Sequence, residues 1–330
     1  MKTKKIFLTF DYEVFLRRSG SINKCILKPT SLIIDKLQRN NIKAVFFIDI
    51  LQMYMLRKNN HIDDFDILKN NILELLKNGH QVELHVHPHW VDAIYDKENK
   101  VWDLSNDANY CFNSLDIIDQ KKIFDISYNE LNDIVKSYDT NYQITCFRAG
   151  GLCLQPFNIF EPLLKKHNIF FESSVAPGMK SSSNTHYYDY TNHKFYEPYR
   201  FKNDPLNNDI NGEFIEFPIT TYNVNLFDKI RQKLSSNSQN NSSIFGDGQA
   251  IPPVKQKSSF FSKFKKTKYF YSLDGHYNEK LLLRKMKNSK MKSITLISHP
   301  KLMTLKSLDT IDKLAQSDNF EFVLYKDFKL

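Results

Sequence analysis

Lys5-Ile-Phe-Leu-Thr-Phe-Asp-Tyr-Glu13 is the stretch on which the fold turns. Its first six residues are short, apolar and rich in β-formers, as in a strand buried on both faces. Two similar runs follow, Lys43-Ala-Val-Phe-Phe-Ile48 and Gln81-Val-Glu-Leu-His-Val86, and helical patterns separate them. Pro29 opens one helix, with Ile33, Ile34 and Leu37 on one face. Residues 65–78 form a second, with Leu68, Ile72, Leu75 and Leu76 inward and Gly79 as its stop. Further on, Asp119 is the expected cap of a helix reaching about residue 137. Strand is expected at 144–147, helix at about 156–167 and strand again at 169–172. Near the end, 293–298 reads as strand, 305–316 as helix and 320–324 as a last strand. Strands alternating with helices predict a parallel sheet covered by helices, and a closed or nearly closed barrel suits the pattern better than an open sheet.

The 330 residues, 41% hydrophobic, suffice for one domain of this kind over 1–330. No stretch approaches the roughly 18 apolar residues that span a bilayer. The opening apolar run stops at Asp11 with no cleavage site after it, so the expectation is a cytoplasmic protein whose first strand begins almost at once. Cys25, Cys111, Cys146 and Cys153 show no C-x-x-C spacing and read as free thiols. The net charge is +9 and much of the excess sits at 255–268; no zinc-finger or RNA-binding signature accompanies it, which disfavours nucleic acid as partner. Residues 232–268, within a differently composed segment at 176–290, are rich in Ser, Asn, Gln and Lys and carry Pro252-Pro253. They predict a flexible basic loop inserted before the last strands. Its lysines, mixed with Phe260, Phe261 and Phe264, suit peripheral contact with an anionic membrane.

In a barrel of parallel strands the chemistry sits where strands end. After the first come Asp11, Tyr12 and Glu13; side chains alternate along a strand, so the two acids share a side and Tyr12 takes the other. Neighbouring carboxylates repel unless a cation or a proton lies between them. The third strand runs into His85-Val-His-Pro-His-Trp90, three imidazoles in five residues, a common kind of metal ligand. His85 and His89 can meet one ion if the chain turns after His85; His85 and His87 can if the strand continues. His299 follows a buried strand and is a candidate general acid. Arg148 leaves a strand into Gly150-Gly151, where backbone can approach a ligand closely and a guanidinium can hold a carboxylate. Glu172-Ser-Ser-Val175 is another strand end.

Taken in order, L-T-F-D-Y-E, K-A-V-F-F-I, L-H-V-H-P-H-W, F-R-A-G-G, E-S-S-V and L-I-S-H-P make the chain resemble the polysaccharide deacetylases of the NodB-homology group, carbohydrate esterase family 4. The likeness covers residues 6–178 and 293–300. Its blocks look most like members encoded with surface-polysaccharide biosynthesis. The resemblance implies a distorted (β/α)7 barrel with a long insertion before the last strands. It also implies a divalent metal, usually zinc, and a water attacking an N-acetyl carbonyl. By position, Asp11 is the implied base, His299 the acid, Arg148 the group orienting Asp11, and His85 and His89 metal ligands. The family pairs adjacent aspartates; here Tyr12 stands in the second place, so Glu13 becomes the third ligand. Tyr12, Trp90, Gly150, Gly151 and Leu296 are the expected substrate contacts.

The implied activity is removal of an N-acetyl or other N-acyl group from an amino sugar that is nucleotide-linked, lipid-linked or part of an oligosaccharide, a precursor of a cell-surface polysaccharide. Three competing readings are an N-deformylase or other small-amide hydrolase, a non-catalytic sugar-binding relative, and an iron oxygenase with two histidines and a carboxylate. The last shares the ligand set, but the alternating pattern disfavours its usual β roll.

Overall fold

A computed structural model describes residues 3–183, 185–230, 243–250 and 267–330. Its largest sheet has nine strands: β1 Lys4–Tyr12, β2 Val45–Asp49, β3 Gln81–Val86, β4 Cys146–Ala149, β5 Phe171–Glu172, β6 Tyr199–Phe201, β7 Phe214–Glu216, β8 Ser293–Ser298 and β9 Phe320–Phe322. The path is β6-β7-β5-β4-β3-β2-β1-β8, and β9 pairs with the start of β1. Every pairing is parallel except β6 with β7. The sheet is curled, and the segment after β7 crosses its open side. Phe217 N donates to Glu172 O (2.8 Å), Ile219 N to Val175 O (2.8 Å) and Thr220 N to Thr295 O (3.1 Å). The expected barrel is present as this curl, with two short strands, β6 and β9, beyond the seven that the resemblance implies.

Alternation along the strands separates two cores. Ile6, Leu8 and Phe10 face outward into the apolar layer beneath the helices. Phe7, with Val45, Phe47, Cys146, Phe217, Leu324 and Tyr325, fills the inside at the lower end. The inward rows are polar at the upper end: Thr9, Asp11 and Glu13 follow Phe7, Asp49 follows Phe47 and Arg148 follows Cys146, while on β3 the row is polar throughout, with His85 and His87 after Glu83. An apolar floor under a polar rim is thus written into the period-2 pattern.

Helices α1 Lys28–Arg39, α2 Ile50–Lys58, α3 Ile62–Lys77 and α4 Ile117–Tyr138 cover the outer face. Helices α1 and α3 bury the apolar stripes expected of them. The cap of α4 is Asp116, not Asp119: its side chain accepts from the backbone N–H of Ile118 and Asp119, while Asp119 lies inside the first turn. No helix among the described residues is long and apolar enough to cross a membrane. The four cysteines are buried and free.

The segment at 176–290 contributes more than a loop. It carries a hairpin, Lys180–Ser182 with Tyr187–Asp189, then β6 and β7, then an antiparallel pair of strands, Thr221–Val224 with Thr267–Phe270. Residues 232–242 and 251–266 of the expected flexible loop, with Phe260, Phe261 and Phe264, lie outside the described residues. The part between them, 243–250, is fastened to the rim. Phe245 N donates to Met303 O (2.9 Å), Gly246 N to Lys301 O (2.9 Å) and Gln249 N to Arg18 O (2.8 Å).

Candidate functional site

The polar ends of the inward rows converge on a cavity of about 210 Å³ lined by Asp11, Glu13, His85, His87 and His299, with Leu152, Tyr188 and Ile297 among its walls. Glu13 is its centre. Lys301 Nζ donates to Oε1 at 2.7 Å, and His299 Nε2 is 3.6 Å from the same oxygen. Oε2 lies 3.4 Å from His85 Nε2 and 3.5 Å from His87 Nδ1. Burial alone would raise this carboxyl; the charge of Lys301 is the largest of the influences that hold it well below the usual carboxylate range.

His85 Nδ1 donates to Arg148 O at 2.8 Å, because a carbonyl can only accept. That bond fixes the tautomer and leaves the lone pair of Nε2 toward Glu13. Among the described residues, Glu13, His85 and His87 form a group whose ligand atoms lie within 4.8 Å of one another. Glu13 Oε2 and His87 Nδ1 are buried without a well-formed hydrogen bond, although Asp49 Oδ2 lies 3.3 Å from that nitrogen; a cation between them would satisfy both. A tetrahedral cation with bonds of about 2.1 Å sets its ligand atoms roughly 3.4 Å apart, close to the spacing seen around Glu13 Oε2. The three residues therefore fit a divalent metal.

His87, not His89, completes the trio. The chain stays extended through His87 (φ −105°, ψ 107°) and turns only at Pro88, so His85 and His87 share the inward face. His89 falls in the short helical turn, fully buried, with its ring 5.0 Å from that of Tyr110. Neither of its ring nitrogens has a partner, and burial drives its pKa down to about 3. It stands outside the group that Glu13, His85 and His87 form.

Asp11 and His299 flank the trio. Arg148 Nη1 donates to Asp11 Oδ1 and, at 3.1 Å, to Thr9 Oγ1; Nε and Nη2 are used by Ser173 O (2.7 Å) and Ser173 Oγ (2.9 Å). The guanidinium is fully buried and stacks 3.9 Å above the Phe47 ring. With Oδ1 so engaged, Asp11 Oδ2 faces His299 Nε2 at 3.8 Å. Asp274 holds His299 from behind: Oδ1 accepts from the backbone N–H (2.8 Å) and Oδ2 from Nδ1 (3.0 Å). Burial would lower the His299 pKa, but Asp274, with Glu13 and Asp11, keeps it above the ordinary imidazole value.

Of the expected substrate contacts, Gly151 lines the cavity and four residues lie elsewhere. Tyr12 points through the opposite face of β1, where its hydroxyl donates to Asn71 Oδ1 (3.0 Å). Trp90 is buried, and its indole N–H donates to Asp49 Oδ2 (2.6 Å). Leu296 faces the outer core, one residue out of phase with Ile297. Gly150 serves packing: a Cβ there would strike Val86 O and the His87 ring. Gly151 has φ +58° with Tyr110 against it, so both its conformation and its space exclude a side chain.

The sequence reading does not single out Asp49, Asp274, Lys301 or Tyr110. Asp49 ends β2 as Asp11 nearly ends β1, and the strand-end rule could have found it. Asp274 and Lys301 follow no strand pattern of their own and gain meaning only from what the fold sets beside them.

No family model matches the chain, and no curated protein does. Among solved structures, a Mycobacterium smegmatis protein described as a "putative polysaccharide deacetylase" superposes on 98% of this chain and 87% of its own with a TM-score of 0.50 and 11% identity. A 4-alpha-glucanotransferase from Thermococcus litoralis covers 99% of this chain and 40% of its own, with a TM-score of 0.49 and 11% identity. The catalytic domain of a peptidoglycan N-acetylglucosamine deacetylase from Eubacterium rectale covers 98% and 88%, with a TM-score of 0.41 and 14% identity. The first likeness shows that the two chains share a fold. The other two superpose too loosely to add to it.

Proposed function

We propose that this chain is a metal-dependent hydrolase that removes an N-acetyl or similar N-acyl group from an amino sugar, a precursor of a cell-surface polysaccharide. One observation carries the reading: a carboxylate and two imidazoles converge with unsatisfied buried atoms, an arginine-held aspartate stands on one side, and an aspartate-held histidine on the other. This constellation supplies the groups that metal-assisted amide hydrolysis uses.

Glu13, His85 and His87 would hold the cation, zinc in this reading. When bound, such an ion lowers the pKa of a water and polarises an amide carbonyl. Everything else falls to side chains. Asp11, pinned through Oδ1, takes the proton of the attacking water at Oδ2. His299 gives a proton from Nε2 to the departing amine, and Asp274 keeps Nδ1 protonated so that Nε2 faces the cavity. Leu152, Tyr188 and Ile297 offer apolar wall to a short acyl group, and the small cavity favours acetyl or formyl over longer chains.

The direct test is acetate release. Purified protein with zinc is incubated with free, UDP-linked and lipid-linked N-acetylated amino sugars. Release from at least one, stopped by a chelator, is expected; none from any of them, by zinc-loaded protein, would reject the assignment.

The charge on Asp274 also sets a pH limit. An acid must be protonated to act, so the alkaline limb of kcat/KM follows the pKa of His299, which Asp274 raises. Asp274→Asn removes the charge and brings that pKa down. The alkaline limb is expected to move to lower pH, with the greatest loss of rate above neutrality. A limb that stays in place would show that His299 is not the proton donor.

A further inference from the structure

We propose that Lys301 is a positioning residue of the metal centre: it occupies one oxygen of Glu13, so that the carboxylate presents a single oxygen to the cation, and its own charge weakens the grip on that cation. The inference rests on the reading that Glu13, His85 and His87 hold a divalent ion.

Lys301 is only 4% exposed. A lysine that deep is tolerated when its ammonium is paired and hydrogen-bonded. Nζ donates to Glu13 Oε1 at 2.7 Å and to Val14 O, and lies 5.4 Å from the Phe15 ring centre. Its backbone is tied as well, since Lys301 O accepts from Gly246 N at 2.9 Å. Glu13 is thereby divided. Oε1 is neutralised and fixed, while Oε2 stands between the two imidazoles without a hydrogen bond. A free carboxylate can swing or offer both oxygens to a metal; this one can do neither while Lys301 stays. The resulting site has two neutral ligands, one carboxylate oxygen and a nearby fixed positive charge. Like charges in a buried site repel strongly, so the centre trades affinity for a low coordination number and a more electron-poor ion.

The test compares zinc affinity, measured by competition with a chromophoric chelator, for the wild type, Lys301→Met and Lys301→Gln. Circular dichroism establishes that each is folded. Both variants are expected to bind zinc more tightly, on the order of tenfold. Lys301→Gln keeps a donor for Val14 O and carries the test if the methionine variant does not fold. Cobalt substitution gives a second readout on the wild type itself, which should show the intense visible bands of a four-coordinate site; in the variants they should weaken as the second Glu13 oxygen enters. Equal or weaker zinc binding in a folded variant, or the pale spectrum of a six-coordinate wild type, would overturn the role of Lys301. Failure of the wild type to bind zinc at all would instead bring down the metal reading on which it rests.

Discussion

Replacing His87 by alanine is expected to strip the metal from the protein, whereas replacing His89 is not. The two residues sit two apart in the same block and have the same chemistry; only their places in the backbone differ. His87 continues the inward row of β3 and brings Nδ1 to 3.5 Å from Glu13 Oε2. His89 lies past Pro88 and packs against Tyr110. Loss of an outer partner of a metal ligand costs roughly 10–100-fold in affinity, so loss of a ligand itself should exceed that. His85→Ala and His87→Ala should both emerge with almost no zinc by mass spectrometry and no measurable deacetylation. His89→Ala should keep its zinc and lose stability instead, by about 1–3 kcal/mol, for removing a buried ring. The reverse pattern, metal held without His87 and lost without His89, would restore the four-residue spacing and refute the trio.

Asp11→Asn should divide metal binding from catalysis. The asparagine still offers an oxygen to Arg148, so the packing around the fully buried guanidinium survives. Asp11 does not belong to the group of mutually close ligand atoms formed by Glu13, His85 and His87. Zinc content should therefore stay at the wild-type level. The rate should fall by roughly 10²–10⁴, the usual contribution of a positioned base, since an amide cannot take up the water's proton. Loss of zinc together with loss of rate would make Asp11 a ligand and leave the base unassigned.

Much of this site is legible in the sequence alone. Asp11 and Glu13 share a side because strand side chains alternate, and the fold sends that side inward. His85 follows from the same rule. His299 and Arg148 were found because they end buried strands, and the structure places both against Asp11. The choice between His87 and His89 could not be made that way. It depends on whether the chain stays extended for one residue beyond β3, and Pro88 permits either path.

Lys301 and Asp274 show a different limit. In sequence, Lys301 is one of many lysines in a basic chain and lies just past the L-I-S-H-P block. Its meaning comes from a partner 288 positions away. Asp274 precedes a glycine between two elements, with nothing local to mark it, yet it holds the ring of His299. The sequence by itself determined which residues could rise along each strand into a common interior, because that follows from local alternation and apolar content. The tertiary structure alone decided which oxygen faces which nitrogen, which charge is neutralised and which histidine turns away. Those outcomes depend on distances between segments remote in the chain, which no local pattern encodes.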